Sequence, residues 1–177
     1  MNSIKQIEVL LADRLVGRLA LTKEGLCAFE YAPDWLGSGF SISPFELPLR
    51  SGVFIAKPRP FEGGFGVFDD CLPDGWGLLI VDRYLQQKGI NPRALTLLDR
   101  LALVGSSGRG ALEFRPDHSV VTRQDYADFE KLALEAERIL GSDEYRGKGI
   151  EEFQDRGGSP GGARPKIFAR YEGKEWL

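Results

Sequence analysis

The residues best suited to chemistry gather in one stretch, Arg156-Gly157-Gly158-Ser159-Pro160-Gly161-Gly162-Ala163-Arg164-Pro165-Lys166. Four glycines fall within six residues, so the backbone there can adopt left-handed φ and approach a ligand closely. From Arg156 to Arg170 every charged residue is basic: Arg156, Arg164, Lys166 and Arg170. Amide N–H groups freed by glycine, beside cations of one sign, are what a phosphate-cradling loop requires. The plainer reading is a flexible linker, which Gly/Ser/Pro-rich segments also form. Two features favour the cradle: the one-signed charge and a strand-like continuation, Lys166-Ile167-Phe168-Ala169-Arg170-Tyr171. Glu172-Gly173 then reads as a hairpin turn.

The spacing also excludes two familiar phosphate motifs. Gly157 and Gly162 have the Walker A glycine spacing, but Ala163-Arg164 stands where that motif needs Lys and Ser/Thr, and no helical pattern follows. A Rossmann G-x-G-x-x-G is absent from the stretch. A loop running into a hairpin is instead the organisation of a kinase glycine-rich loop.

Elements able to position such a loop occupy the rest of the chain. Its 177 residues, 42% hydrophobic with 11 Phe and 3 Trp, suffice for one large domain or two small ones. The net charge of -3 makes no global case for nucleic acid, so any anion binding is local. Cys27 and Cys71 lie far apart in apolar surroundings and read as reduced, buried thiols. With one histidine, His118, in the turn Pro116-Asp117-His118-Ser119, a zinc site is excluded. No signal peptide follows Met1, and no stretch approaches transmembrane length, which implies a cytoplasmic protein without membrane contact.

Residues 6–31 predict a three-strand meander: Ile7–Ala12, a turn at Asp13-Arg14, Leu15–Leu21, a turn at Lys23-Glu24-Gly25, and Leu26–Tyr31. Pro33-Asp34-Trp35 breaks it, and short extended pieces follow at Ile42, Leu47–Leu49 and Val53–Ala56, giving a small twisted sheet or partly open barrel. Phe68 to Pro73 predicts a turn or a single helical turn. A helix is expected from Gly75 to Gln87, capped by Asp74, with Trp76, Ile80, Val81 and Tyr84 inward. Asn91 and Pro92 open a second helix, with Ala94, Leu97, Leu98, Leu101 and Val104 as its stripe, ended by Gly105. Gly110–Phe114 reads as a strand. A third helix spans Asp125 to Leu140, with Phe129, Leu132, Ala133, Ala136 and Leu140 as its core face. Strands first and helices after make the class α+β.

Three blocks in this order carry a resemblance: Phe68-Asp69-Asp70-Cys71-Leu72-Pro73-Asp74-Gly75, then Gly105-Ser106-Ser107-Gly108-Arg109-Gly110-Ala111-Leu112-Glu113-Phe114, then Gly158-Ser159-Pro160-Gly161-Gly162-Ala163-Arg164-Pro165-Lys166. Together they resemble the N-terminal portion of HipA-family serine/threonine kinases, the toxins of HipBA-type toxin–antitoxin pairs. The resemblance covers essentially the whole chain. It implies a β subdomain over 1–62 for antitoxin and assembly contacts, and a helical-plus-β partial kinase N-lobe over 63–177. Within the latter, residues 157–166 match the loop near the ATP phosphates, with Ser159, Gly161, Gly162, Ala163, Arg164 and Lys166 as its site residues. Ser159 falls on the serine that the family autophosphorylates, which ejects the loop and shuts the kinase down. About two added negative charges would reorganise so basic a segment. The resemblance further implies ATP and Mg as cofactors of the full kinase, a HipB-like antitoxin as partner, and DNA reached only through that antitoxin. The family's substrate is protein, an aminoacyl-tRNA synthetase being the best-known target.

The chain departs from the family at two points. The second glycine block often carries an acidic residue where this chain has Ser107. No catalytic Asp with its Asn partner and no metal-binding Asp follow Lys166 before Leu177, so the chain reads as part of a longer kinase, inactive alone. The alternative is a non-catalytic module that docks a kinase or antitoxin, with Trp35, Phe40 and Phe45 as candidate anchors.

Overall fold

The computed structural model describes residues 4–108, 110–119, 129–142, 150, 162, 164, 165, 171, 172, 175 and 176. The chain forms two compact units, Met1–Leu72 with Leu95–Ser119, and Pro73–Ala94 with Val120–Leu177. The fold is α+β, as the order of elements implied.

The first unit is built on an open antiparallel sheet in the order β4-β3-β2-β1-β5. Its strands are β1 (Gln6–Leu11), β2 (Arg14–Leu21), β3 (Cys27–Tyr31), β4 (Val53–Ile55) and β5 (Leu112–Arg115). Alternation places Ile7, Val9, Val16, Leu19, Cys27, Phe29 and Phe114 inside. The opposite face is polar: Arg115 pairs with Glu8, Glu8 with Arg18, and Arg18 with Glu30 across four strands, so charge alternates along the row. The turn between β1 and β2 is Ala12-Asp13, not Asp13-Arg14. Both residues have positive φ, 49° and 60°, as a two-residue hairpin loop demands, and Arg14 pairs with Leu11.

Between β3 and β4 the expected run of extended pieces is mostly something else. Pro33–Ser38 forms a short helix, α1, and only Val53–Ile55 is a strand. The segment is fastened from below. The buried Tyr31 hydroxyl donates to the Leu47 carbonyl at 2.6 Å and accepts from the Ile42 amide at 3.1 Å, while Trp35 Nε1 donates to the Phe40 carbonyl at 2.9 Å. The single helical turn expected near Phe68 is α2 (Gly66–Asp69), whose Phe68 contacts Phe29 and Phe114 in the core.

The second helix begins later than Asn91-Pro92 suggested. Asn91 caps only a 3-10 turn, Pro92–Ala94, through the Arg93 amide at 3.0 Å. The helix itself, which follows α3 of the second unit in the chain and is labelled α4, is Leu97–Val104, and it buries Leu98, Leu101, Ala102 and Val104. Thr96 caps it in a reciprocal box: the Thr96 hydroxyl accepts from the Asp99 amide, and the Asp99 carboxylate accepts from the Thr96 amide. The same buried carboxylate accepts from the Ile4 amide at 3.0 Å, tying the start of the chain to α4.

The second unit contains α3 (Gly75–Gln87), with the bounds expected of it, and α5 (Phe129–Gly141). Its core is Trp76, Ile80, Leu132, Ala136, Ile139 and Ile150. On α3, Leu85 is buried and Val81 only half so. On α5, Ile139 replaces Ala133 and Leu140, which are exposed, so the inward face is turned from the expected one. The side chain of Phe129 and residues 125–128 lie outside the described residues. Buried Arg83 of α3 donates to the Ile139 carbonyl near the end of α5. β6 (Tyr171–Glu172) pairs antiparallel with β7 (Glu175–Trp176), so a hairpin is present, but Glu172 pairs with Glu175 and lies in the strand, not in the turn expected at Glu172-Gly173; residues 166–170 lie outside the described residues.

Two predictions come from this unit-by-unit packing. Ala12 occupies a left-handed position that Asn or Gly fills with less strain, so Ala12→Asn should raise stability by about 0.5–1 kcal/mol in urea unfolding. A loss would mean the hairpin turn is misread. Asp99 supplies the second. Its burial works to raise its pKa, but bonds from the Ile4 amide and from Thr96, with the charge of His118, outweigh it and hold the carboxyl below its ordinary value. A lowered folded pKa stabilises the fold above the unfolded value of about 3.9 and loses that contribution as pH falls through the folded one. Asp99→Ala should therefore cost about 1–3 kcal/mol near neutrality, and the gap to wild type should narrow below about pH 3. A gap independent of pH would show that the carboxylate charge contributes nothing.

Candidate functional site

Of the predicted site residues, Gly162 and Arg164 are described; Ser159, Gly161, Ala163 and Lys166 lie outside the described residues. Gly162 has φ +87°, a left-handed conformation that its glycine identity permits. Its carbonyl accepts from the backbone amide of Trp76 at 2.9 Å. Arg164 and Pro165 are exposed. Gly162 and Trp76, far apart in sequence, thus meet at the first turn of α3.

That meeting has a local cause. The first amides of a helix have no partner within it. Asp74 sits at the N-cap position with extended backbone, as expected, but its side chain does not cap the helix. The Trp76 amide takes the Gly162 carbonyl instead, and the Trp76 ring is buried in the core of the second unit. The block begins in the first unit, where Cys71 Sγ donates to the Val67 carbonyl at 3.3 Å. Asp69 has a raised pKa, first because it is partly buried and then because Asp70 and Glu62 carry like charge.

The Gly105-to-Phe114 block is organised by a residue that sequence reasoning passed over. Gly105 ends α4 at φ +50°, and its carbonyl accepts from the Phe114 amide of β5 at 3.1 Å. Asp117 lies against it. The Asp117 carboxylate accepts from the Ser106 amide at 3.0 Å, the Ser106 hydroxyl at 2.6 Å and the Ser119 amide at 2.8 Å. Partial burial works to raise its pKa, but the bonds from Ser106 and Ser119 outweigh that and lower it. Ser107, where the resemblance places an acid, donates through its hydroxyl to the Val104 carbonyl at 2.8 Å, and the carboxylate against this loop is that of Asp117. The signal lies in the turn Pro116-Asp117-His118-Ser119, where Asp is a residue type that bonds nearby backbone amides. His118 is exposed, and its amide bonds the Ala102 carbonyl.

Other chemistry is limited by the environment of the groups. Both cysteines are free, and burial pushes each thiol up to about 11, Cys71 with help from Asp70, so neither is a nucleophile at neutral pH. Among the described residues no three His, Cys, Asp or Glu side chains group as metal ligands, and no helix is long and apolar enough to cross a membrane. The three candidate anchors separate: Trp35 is buried, which removes it, whereas Phe40 is 56% and Phe45 100% exposed.

An open five-stranded antiparallel sheet, completed by a strand that returns after α4, defines the class of the first unit. Residues 7–115 match the family described as HipA N-terminal domain. The chain belongs to that family. Among solved structures it is similar to HipA of Shewanella oneidensis MR-1, determined in a complex of the HipA–HipB toxin–antitoxin system with its operator DNA. The likeness has a TM-score of 0.56 at 23% identity, covers 96% of this chain and 37% of that HipA chain, and is one of fold. The chain thus spans little more than a third of the length of that structural relative.

The Gly105–Asp117 contact yields a coupled prediction. A Cβ at residue 105 would lie 1.8 Å from Asp117 Oδ1, at a φ unfavourable to any side chain. Gly105→Ala should cost about 2–3 kcal/mol and Asp117→Ala about 1–2, with the double variant clearly less unstable than their sum. Additive losses would show that Asp117 does not constrain the loop.

Proposed function

We propose that the chain is the N-terminal part of a HipA-like serine/threonine kinase toxin of a toxin–antitoxin system, supplying the phosphate-loop side of an ATP site and contacts to an antitoxin. The observation that carries this reading is the family match over residues 7–115, joined by the order of the three sequence blocks, the last of which lies beyond it. The division of labour is that expected from the resemblance: a β subdomain for partner contacts and a later part for the nucleotide.

The described residues are compatible with a phosphate loop. Gly162 has the left-handed backbone such loops use, and Arg164 presents its cation outward. Arg164 and Lys166 would neutralise phosphate charge, the glycine amides would donate to phosphate oxygens, and Ser159 would be the acceptor hydroxyl for autophosphorylation. ATP would supply the phosphoryl group, with magnesium neutralising it; no residue of this chain is assigned to the metal. The contact between Gly162 and the Trp76 amide supports a role for α3 in setting the loop's position. An antitoxin of the HipB type is the proposed partner, and DNA is reached through it.

A second reading, a docking module without nucleotide chemistry, is favoured by Phe45, which is wholly exposed although its neighbours are fastened to Tyr31. Calorimetric titration of the purified chain with Mg-ATP, followed by intact mass, separates the two. Under the kinase reading the chain binds nucleotide, Arg164→Ala weakens binding by about tenfold, and no phosphate is added because the catalytic groups are absent. No heat would favour the docking module. Phosphate on Ser159 would overturn the expectation that this chain is inactive alone.

A further inference from the structure

We propose that the free edge of β4 is a docking strip for an acidic, extended segment of a partner protein, which adds to the sheet as a sixth strand. The inference rests on the partner-contact reading and names its surface and chemistry.

β4 ends the sheet, so among the described residues one side of it has no neighbouring strand. The Ala56 amide donates to the Cys27 carbonyl of β3 at 2.8 Å, so by strand alternation Phe54 also faces β3. The N–H and C=O groups of Val53 and Ile55 then point outward. The side chains of the same two residues are 56% and 61% exposed, on the face opposite the core. Natural edges are commonly protected by charge or proline along the strand. Here the protection lies only at the ends: Gly52 precedes β4, and Lys57-Pro58 follows one residue after it. A short strand can add, and a long one cannot.

Charge selects the partner. The chain is net negative, yet residues 36–61 carry Arg50, Lys57 and Arg59 against one acid, Glu46, whose carboxylate accepts from the Gly66 amide at 2.9 Å. Arg50 is held over the Phe54 ring, 4.5 Å from its centroid, at one end of β4, and Lys57 and Arg59 are exposed at the other. Glu30, beside Val53 on the outer face, already stands opposite Arg18. A second copy added antiparallel would set Arg50 against Lys57 and Arg59, like charge on like, which disfavours self-pairing. An acidic strand meets attraction at both ends, with main-chain bonds from Val53 and Ile55 between them. Phe45 offers an apolar contact on the same segment.

The test is an amide-resolved NMR titration of the full chain with the capped heptapeptide Glu-Val-Glu-Val-Glu-Val-Glu and with its Lys-for-Glu counterpart. Expected are shifts and slowed exchange at the Val53 and Ile55 amides with the acidic peptide only. Lys57→Glu with Arg59→Glu should weaken it by about tenfold and admit the basic peptide. Ile55→Pro, which removes an outward N–H and no ladder bond, should abolish binding while circular dichroism stays unchanged. Should that variant unfold, the charge-reversal pair decides alone. Equal binding of both peptides, shifts away from β4, or concentration-dependent self-association through β4 would overturn the proposal. The nucleotide titration is independent of this result, so failure here discards the edge and leaves the kinase reading to its own test.

Discussion

Asp99 sits where the start of the chain, the entry to α4 and the sheet come together. A helix of eight residues cannot satisfy its own first amides, and in isolation it is too short to persist. Asp99 answers one of these needs locally, by closing the box with Thr96, and adds a bond across 95 residues to Ile4, just before β1. The far end of α4 is fixed by a second carboxylate. Gly105 turns the chain, Asp117 secures the residue after it, and the Gly105 carbonyl takes the amide of Phe114. β5 can then pair with β1, so a segment beginning at Leu95 belongs to the same unit as the meander.

This dependence explains what the sequence disclosed and what it hid. The meander was legible because its alternation is local, and the bounds of α3 because Asp74 and Gly89 mark its ends. The start of α4 was misplaced because Asn91-Pro92 is as good a local signal as Thr96-x-x-Asp99. Only the bond from Ile4 makes the second the structural one, and no window of residues contains it. Asp117 was missed for the same reason: its hydrogen bonds to Ser106 span 11 residues and a change of element. On α5 the phase was wrong because Leu132 and Ala136 fit two adjacent stripes, one continuing to Ile139 and one to Leu140. Trp35 looked like an anchor because composition cannot tell an aromatic side chain fastened by its ring nitrogen from one left in water, as Phe45 is.

The contact made by the glycine-rich stretch was not legible in the sequence. Glycine spacing and basic charge pointed to phosphate, whereas the contact that holds Gly162 is a main-chain bond to a helix start with no side-chain requirement. What sequence did offer was Asp74, a residue of the right type for a cap, whose side chain leaves that task to Gly162. The helix start gives its unpaired amide to the Gly162 carbonyl. A left-handed φ at Gly162 is the cost, and only glycine meets it cheaply.

The distribution of polar groups separates the tasks of the two units. In the first unit Asp99 and Asp117 are committed to helix ends, both thiols are held protonated, and the outer face of the sheet is an alternating charge row with its charges opposed in pairs. Little there is placed for bond-making. Among its described residues the sheet has two edge strands, β4 and β5, and it is β4 that has exposed basic and aromatic side chains around it, groups suited to holding another chain. In the second unit the reverse holds: the glycine stretch brings exposed Arg164 onto a backbone shaped by Gly162, next to the start of a helix. Two carboxylates and both thiols of the first unit are tied to its packing, whereas the second unit exposes the Arg164 cation two residues from a left-handed glycine, and it is on this contrast that the partner-contact and phosphate-loop proposals draw.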